Sequence, residues 1–319
     1  MAQIYFSKFN INSEIYAIYK DDKLKEKILD DILEKIDTET IIEESVEDKG
    51  NKGIEEIQES EENEDKIYRY KFCNLEKNYD NRTVTGRLVK IFKGEVQSYD
   101  EEKDTINIEE KDDCASSCTF HFDLKREQIA FITRRDFGYK QFNKYFKELV
   151  ETYFENISFE IFLENNIDDL KEKIYSFSKL LSVEIVIIPP NASTNDFDTL
   201  FGTSKKDVEE SNATKYTQRL DVSTKSPNGI NARTNFFDRM FFGIAKGYGQ
   251  ITAKGKNNFN QLMTVTSDED APYKRPILDV EKDSIIAFKE KANDYIIELV
   301  SQKMELKLDE NKPNQGAEE

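Results

Sequence analysis

The sequence has no tryptophan, one histidine, three cysteines and six prolines in 319 residues. Six prolines and twelve glycines are far too few for a collagen-like chain. Three cysteines, an odd and low number, exclude a disulfide scaffold and fit a reducing cytoplasm, the expected location. No run of 18 apolar residues occurs, so no membrane-spanning helix is expected. Met1 to Asn10 lacks a basic region followed by an apolar one, so a signal peptide is not expected either.

The scarcity of imidazole also narrows the chemistry. His121 is the only histidine, and any Ser-His-Asp or Cys-His mechanism would have to use it. No nucleophile elbow accompanies it, which favours a structural role. Its strand-like setting, Thr-Phe-His-Phe-Asp over 119–123, points it away from Phe120 and Phe122. Cys114 and Cys118 have metal-like spacing, and with Cys73 and His121 they would make a four-ligand zinc set. Loop cysteines beside a strand are the plainer reading, and no metal or cofactor is expected.

What is abundant is acid and phenyl ring. There are 64 Asp/Glu against 46 Lys/Arg, a formal charge of -18, together with 22 Phe and 15 Tyr. The rings suffice for a sizeable core. The charge is concentrated: residues 36–65 hold 13 acids and 2 Lys, residues 98–113 hold 8 and 2, and residues 302–319 hold 5 and 3. The rest of the chain is nearly neutral. Residues 36–65 read as a flexible acidic insertion, a mobile polyanion able to compete for a basic surface. Residues 307–319 read as a disordered tail.

Hydrophobic periodicity supplies the elements. Gln3–Ile11 partly alternates and predicts a strand; 22–36 carries apolar residues at helical spacing. Strands are expected over 67–75, 83–92, 94–98, 105–109, 119–123 and 128–133, antiparallel because their links are short. A helix is predicted over 139–154, a strand over 157–163, a helix over 167–181 and a buried strand over 183–188, ended by Pro189-Pro190. Weaker helices are predicted over 196–201 and 207–217. A strongly apolar helix over 235–246 is stopped by Gly247. A hairpin pairs 248–253 with 261–266, and a last helix spans 283–304. The expected fold is α+β: an antiparallel-rich N-terminal sheet (1–135) joined to a mixed sheet covered by helices (136–306).

Four patterns bear on chemistry. The glycine-rich stretch with Gly243, Gly247, Gly249 and Gly255 is a candidate phosphate cradle, although it matches no phosphate-loop consensus and reads more simply as a helix cap and hairpin. The polar loop Asn191 to Asn195 leaves the end of a buried strand, where ligands bind in open α/β sheets. Glu160, Asp196, Asp198, Glu209 and Asp221 are carboxylates a metal-dependent nuclease would need to converge. Finally, residues 125–147 and 205–256 each carry a net +5 with interleaved Tyr and Phe, the combination that contacts phosphates and stacks on bases. Arg134, Arg135, Lys140, Lys144, Arg239, Lys246, Lys254 and Lys256 are the candidate nucleic-acid-binding residues.

Three stretches carry a resemblance: FDLKREQIAFITRRDFGYKQFNKYF, VEIVIIPPNAS and FFDRMFFGIAKGYGQITAKGKN. The chain resembles uncharacterised bacterial proteins found near phage-defence genes. That resemblance implies a defence-related, partner-binding role and supplies no catalytic residues. The expectation is a binding or sensor component of antiviral defence that contacts nucleic acid or a nearby-encoded protein through its basic aromatic surface. A metal-dependent nuclease effector and a structural subunit of a larger complex are the alternatives. A homo-oligomer is compatible with each.

Overall fold

The computed structural model describes residues 2–46, 66–190, 194–202 and 205–306. The chain opens with β1 (Ala2–Ile11), the short α1 (Ile15–Ile18) and α2 (Asp22–Lys35), whose start is capped by the Asp21 carboxylate accepting from the Lys23 amide. Four antiparallel strands follow: β2 (Ile41–Val46), β3 (Lys66–Asn78), β4 (Thr83–Asp100) and β5 (Thr105–Asp123). β6 (Gln128–Ile132) then returns to lie between β5 and β1.

The first sheet has the order β12-β1-β6-β5-β4-β3-β2, with β12 (Lys274–Ile277) at one edge. β7 (Phe159–Leu163) also pairs with β1. β12 takes Ala2 to Tyr5 and β7 takes Ser7 to Ile11, end to end along the edge of β1 that β6 leaves open. α3 (Tyr139–Glu151) packs beneath, sending Phe142, Tyr145, Phe146, Leu149 and Val150 into the core, as its spacing predicts.

The second sheet has the order β11-β10-β8-β9, from β8 (Lys179–Ile187), β9 (Tyr216–Asp221), β10 (Gly249–Lys256) and β11 (Leu262–Thr266). Its core is closed by α4 (Ile167–Tyr175), α5 (Thr194–Phe201) and α7 (Asn235–Lys246), with α6 (Lys205–Glu210) beside them. α8 (Ser267–Asp270) leads into β12. The long α9 (Ile285–Glu305) then crosses the far side of the first sheet.

The α+β class holds. Each ladder of the second sheet is antiparallel, however, where the strand–helix order had suggested a mixed sheet. The reason is that β7 pairs with β1 rather than with β8, so no crossover links neighbouring strands. For the same reason position 135/136 does not coincide with a boundary between sheets. Residues 41–46 form an edge strand, so this start of the acidic segment is ordered by its ladder with β3. The expected helix 167–181 ends at Tyr175, because pairing with β10 begins at Lys179. The four short strands expected between 83 and 123 are two long ones. Residues 47–65 and the 307–319 tail lie outside the described residues. No helix among the described residues is long and apolar enough to cross a membrane.

Candidate functional site

Strand alternation gives the first sheet two unlike faces. Toward α2 and α3 it presents Phe9, Val84, Leu88, Phe120, Phe122, Ile129 and Phe131, all fully buried. Toward α9 the same strands present a row made by register, Glu76, Thr85, His121, Ala130 and Phe6. Beside it runs a second row, Asn78, Thr83, Asp123, Gln128 and Lys8. The apolar end of this face is sealed by Phe288, Ala292, Ile296 and Leu299 of α9 against Ile4, Phe6, Ala130 and Ile132. Its polar end is not sealed. A groove of about 880 Å³ runs between it and the flank of α9 that carries Ile286, Lys289, Asn293 and Ile297.

His121 forms part of the groove wall. Its Nδ1 lies 2.8 Å from the Thr85 hydroxyl. The two groups share one hydrogen bond; with the Thr85 hydroxyl as donor to Nδ1, the ring proton sits on Nε2. Nε2 is buried and has no hydrogen-bond partner among the described residues. Burial pushes the imidazole down to about 4; Asp123 and Glu76 oppose the shift and Lys289 reinforces it. The ring is therefore neutral at physiological pH and too weak a base for proton transfer there. In that tautomer its Nε2–H is a hydrogen-bond donor.

Most charged groups around it hold one another. Lys289 meets Glu76 at 2.8 Å, Arg126 meets Asp123 at 2.6 Å, and Arg82 meets Asp30 at 2.9 Å. Lys125 lines the groove, is exposed, and has no carboxylate partner among the described residues.

Behind the groove the polar rows continue into a buried network at the seam of the two sheets. Gln128 donates to Glu164 at 2.9 Å, and Lys303 of α9 donates to the same oxygen of Glu164 and, at 3.1 Å, to the Lys246 carbonyl. Burial lowers the Lys303 ammonium to about 8, against the pull of Glu164. Glu127, in the β5–β6 turn, takes Lys8 at 2.8 Å and Lys25 at 3.0 Å. Burial alone would raise its carboxyl, but the two ammonium groups outweigh it and hold the carboxyl below its usual value. Gly247 closes the seam. It caps α7 with φ 87°, and a Cβ there would lie 2.7 Å from Lys8 Cβ. Its carbonyl accepts from Asn10 at 3.1 Å.

Four of the eight predicted basic residues hold carboxylates. Arg134 pairs with Asp283 at 3.1 Å, Lys140 with Glu269, Lys144 with Glu44 at 2.5 Å, and Lys246 with Asp196 at 3.9 Å. Glu44 belongs to the acidic segment, whose strand β2 thus neutralises α3. Arg135 and Lys254 are exposed, and Lys256 is half-buried on β10. The Arg239 Nε is buried without a partner among the described residues. Lys140, Lys144 and Lys147 do rim a cleft of about 300 Å³, together with Glu148, Glu160 and Asp268.

The glycine-rich stretch forms a helix cap and a strand rather than a loop around a ligand. Gly247 and Tyr248 donate into the end of α7, and the residues from Gly249 to Lys256 lie in the ladder with β8. The expected carboxylates do not converge as one set: Glu160 holds Lys147 and Lys215, Asp221 holds Arg219, and Asp196, Asp198 and Glu209 lie around Tyr19 without the grouping that would hold a metal among the described residues. Cys118 bonds the Phe137 carbonyl on the apolar face, and His121, three residues on, lies on the opposite face. These two cannot share a metal. Residues 191–193 of the polar loop lie outside the described residues.

Sequence reasoning missed Thr85, Asp123, Lys289 and Asn293 as companions of His121. The available signal was the polar residue at every second position in Thr83–Thr85 and His121–Asp123, opposite large apolar neighbours.

A family model described as Domain of unknown function (DUF4747) matches residues 3–294. No curated protein matches the chain.

Proposed function

This chain belongs to the DUF4747 family, and we propose that it acts as a sensor: a binding component that holds a small polar ligand bearing a carboxylate or phosphate in the His121 groove. The observation that carries this reading is the buried Nε2–H of His121, a donor without a partner among the described residues, in the wall of a groove of about 880 Å³. A buried donor left unbonded is costly, by about 1–3 kcal/mol, and such groups collect where a ligand completes them. Lys125 adds an ammonium group uncommitted to any described carboxylate, and Asn81 and Asn293 add neutral amides. The surrounding ion pairs cancel most of the wall's charge, and Asp80 and Glu290 are its further carboxylates. An acceptor-bearing ligand satisfies both His121 and Lys125. The resemblance to phage-defence-associated proteins supports antiviral defence as the setting. The basic-surface route to nucleic acid has less support, since four of its eight residues already hold carboxylates.

The single histidine makes the test direct. Isotope-labelled full-length chain is titrated with inorganic phosphate, small mono- and dicarboxylates, mononucleotides, and short single-stranded DNA and RNA, following the imidazole resonances. One ligand class should move the Nε2–H signal saturably, and Lys125→Glu should weaken that binding at least tenfold. No movement with any of them, in a chain whose spectrum remains folded, overturns the proposal. Oligonucleotide binding that leaves His121 unmoved and is lost on Arg135→Glu with Lys254→Glu would return the function to the basic surface.

A further inference from the structure

The hairpin of β4 and β5 outruns the sheet it belongs to. The last ladder pair of β3 on β4 is Tyr68 with Phe92, and the last of β6 on β5 is Phe120 with Phe131. Past a register shift at Phe92/Gly94, seven further pairs from Gly94–Lys111 to Asp100–Thr105 join β4 and β5 only to each other among the described residues. At roughly 3.3 Å per residue, this two-stranded ribbon projects about 20 Å beyond its neighbours.

Its tip is internally bonded. The Asp100 carboxylate accepts from the Glu102 and Lys103 amides at 3.1 and 3.2 Å, and the Tyr99 hydroxyl donates to Asp104 at 2.5 Å. The ribbon is therefore a defined surface, although no third strand among the described residues supports it. The register places Tyr99 opposite Ile106, and Gln97 opposite Ile108, on one face. Those three apolar side chains are 62%, 60% and 58% exposed. Contiguous exposed apolar surface of this kind marks interaction sites. Around it, residues 93–113 carry nine Asp/Glu and three Lys, a net charge of -6.

The charge decides among occupants. Two ribbons of one sign repel, which disfavours pairing of two copies along these open edges. A polyanion is repelled in the same way. A basic surface is attracted, and its rim charges would meet the acids while an apolar socket covered Tyr99, Ile106 and Ile108. We propose that the β4–β5 ribbon is a docking arm for a protein partner that presents an apolar socket ringed by Lys and Arg.

The probe is a cationic amphipathic Lys/Leu model peptide, compared with a Lys/Gln peptide of equal charge and length. Full-length chain is titrated with each, following the isoleucine methyl resonances. The Lys/Leu peptide should bind saturably, shift Ile106 and Ile108, and bind at least tenfold more tightly than the Lys/Gln peptide. Combining Tyr99→Ser, Ile106→Ser and Ile108→Ser should remove that preference. Combining Glu101→Lys, Glu102→Lys and Glu109→Lys, which leaves the apolar face intact, should weaken both peptides and flatten the salt dependence. Equal binding of the two peptides, or a preference that survives the serine substitutions, overturns the proposal. So does self-association in sedimentation that the serine substitutions abolish, since the face would then join copies of this chain.

Discussion

The two faces of the first sheet share one backbone and differ in almost everything else. On the α3 side, Phe146 stands among Phe72, Phe120, Phe122 and Phe142 at ring-centroid distances between 5.2 and 5.6 Å. On the α9 side, the residues alternating with those rings are Thr83, Thr85, Thr119, His121, Asp123 and Gln128, and they are nearly as deeply buried. The first face stabilises by removing phenyl surface from water. The second takes polar groups out of water and leaves several atoms unpaired, which costs stability. A sheet that can be lined with rings on one side could be lined so on both. Retaining the polar side is expected where a site is built into the fold.

That contrast can be broken most severely on the apolar face. Phe146→Ala should cost about 3–5 kcal/mol in urea unfolding, since the rings around it cannot collapse into the cavity. It should leave the assignment of His121 as a neutral donor intact wherever the chain stays folded. A loss under 1 kcal/mol would show that this face is not the stabilising one.

On the polar face, Lys303→Ala should cost about 3 kcal/mol, because Glu164 stays buried with the Gln128 amide as its remaining side-chain donor among the described residues. Adding Glu164→Gln should recover much of the loss, since the stranded charge is then gone. Equal unfolding of the single and double variants would mean that the pair is not coupled.

Titration of His121 sharpens the comparison further. Its imidazole is held at about 4 in the folded chain against 6.5 for the ordinary value. Between those values the unfolded chain binds the extra proton, so this contribution is complete above pH 6.5 and is lost as pH falls toward 4. The loss should reach about 3 kcal/mol at most. Subtracting the pH profile of His121→Gln isolates it from the carboxylates that titrate nearby. Superimposable profiles would place the imidazole in water rather than in the wall.

The smallest effect is expected where neither face is involved. Ile108→Lys, on the ribbon, should change stability by no more than about 0.5 kcal/mol, because that side chain already faces solvent. A larger cost would mean that the ribbon face is covered within the chain itself.

Much of this was legible locally. The helical spacing from Phe142 to Val150 gave α3 and its buried face, and the apolar run closed by Gly247 gave α7 to the residue. The alternation in 119–123 correctly turned His121 away from Phe120 and Phe122. The basic stretches were legible as composition but not as a surface. Composition does not reveal that Lys144 meets Glu44, or that Lys140 meets Glu269. The acidic turn read between Ser98 and Thr105 is tighter than that, and the short strands flanking it are longer, because the ladder resumes after its register shift at Phe92/Gly94 and runs to Asp100 and Thr105. A strand with polar and apolar residues mixed on both faces carries no clean alternation.

By itself, then, the sequence determined the α+β class, most helices with the Gly247 stop of α7, and the side of its strand on which His121 lies. Those follow from spacings of two, three and four residues, over which backbone geometry alone decides which side chains share a face. Only the tertiary structure decided what each face meets. β6, β7 and β12 all pair with β1, α9 carries Lys289 over the groove, and Lys303 reaches Glu164 across 139 residues of chain. A strand's pattern says that one side will be covered, while the partner is selected by how well distant segments fill one another's surfaces and bond one another's polar groups. The His121 groove exists because α9 fits only the apolar half of its face.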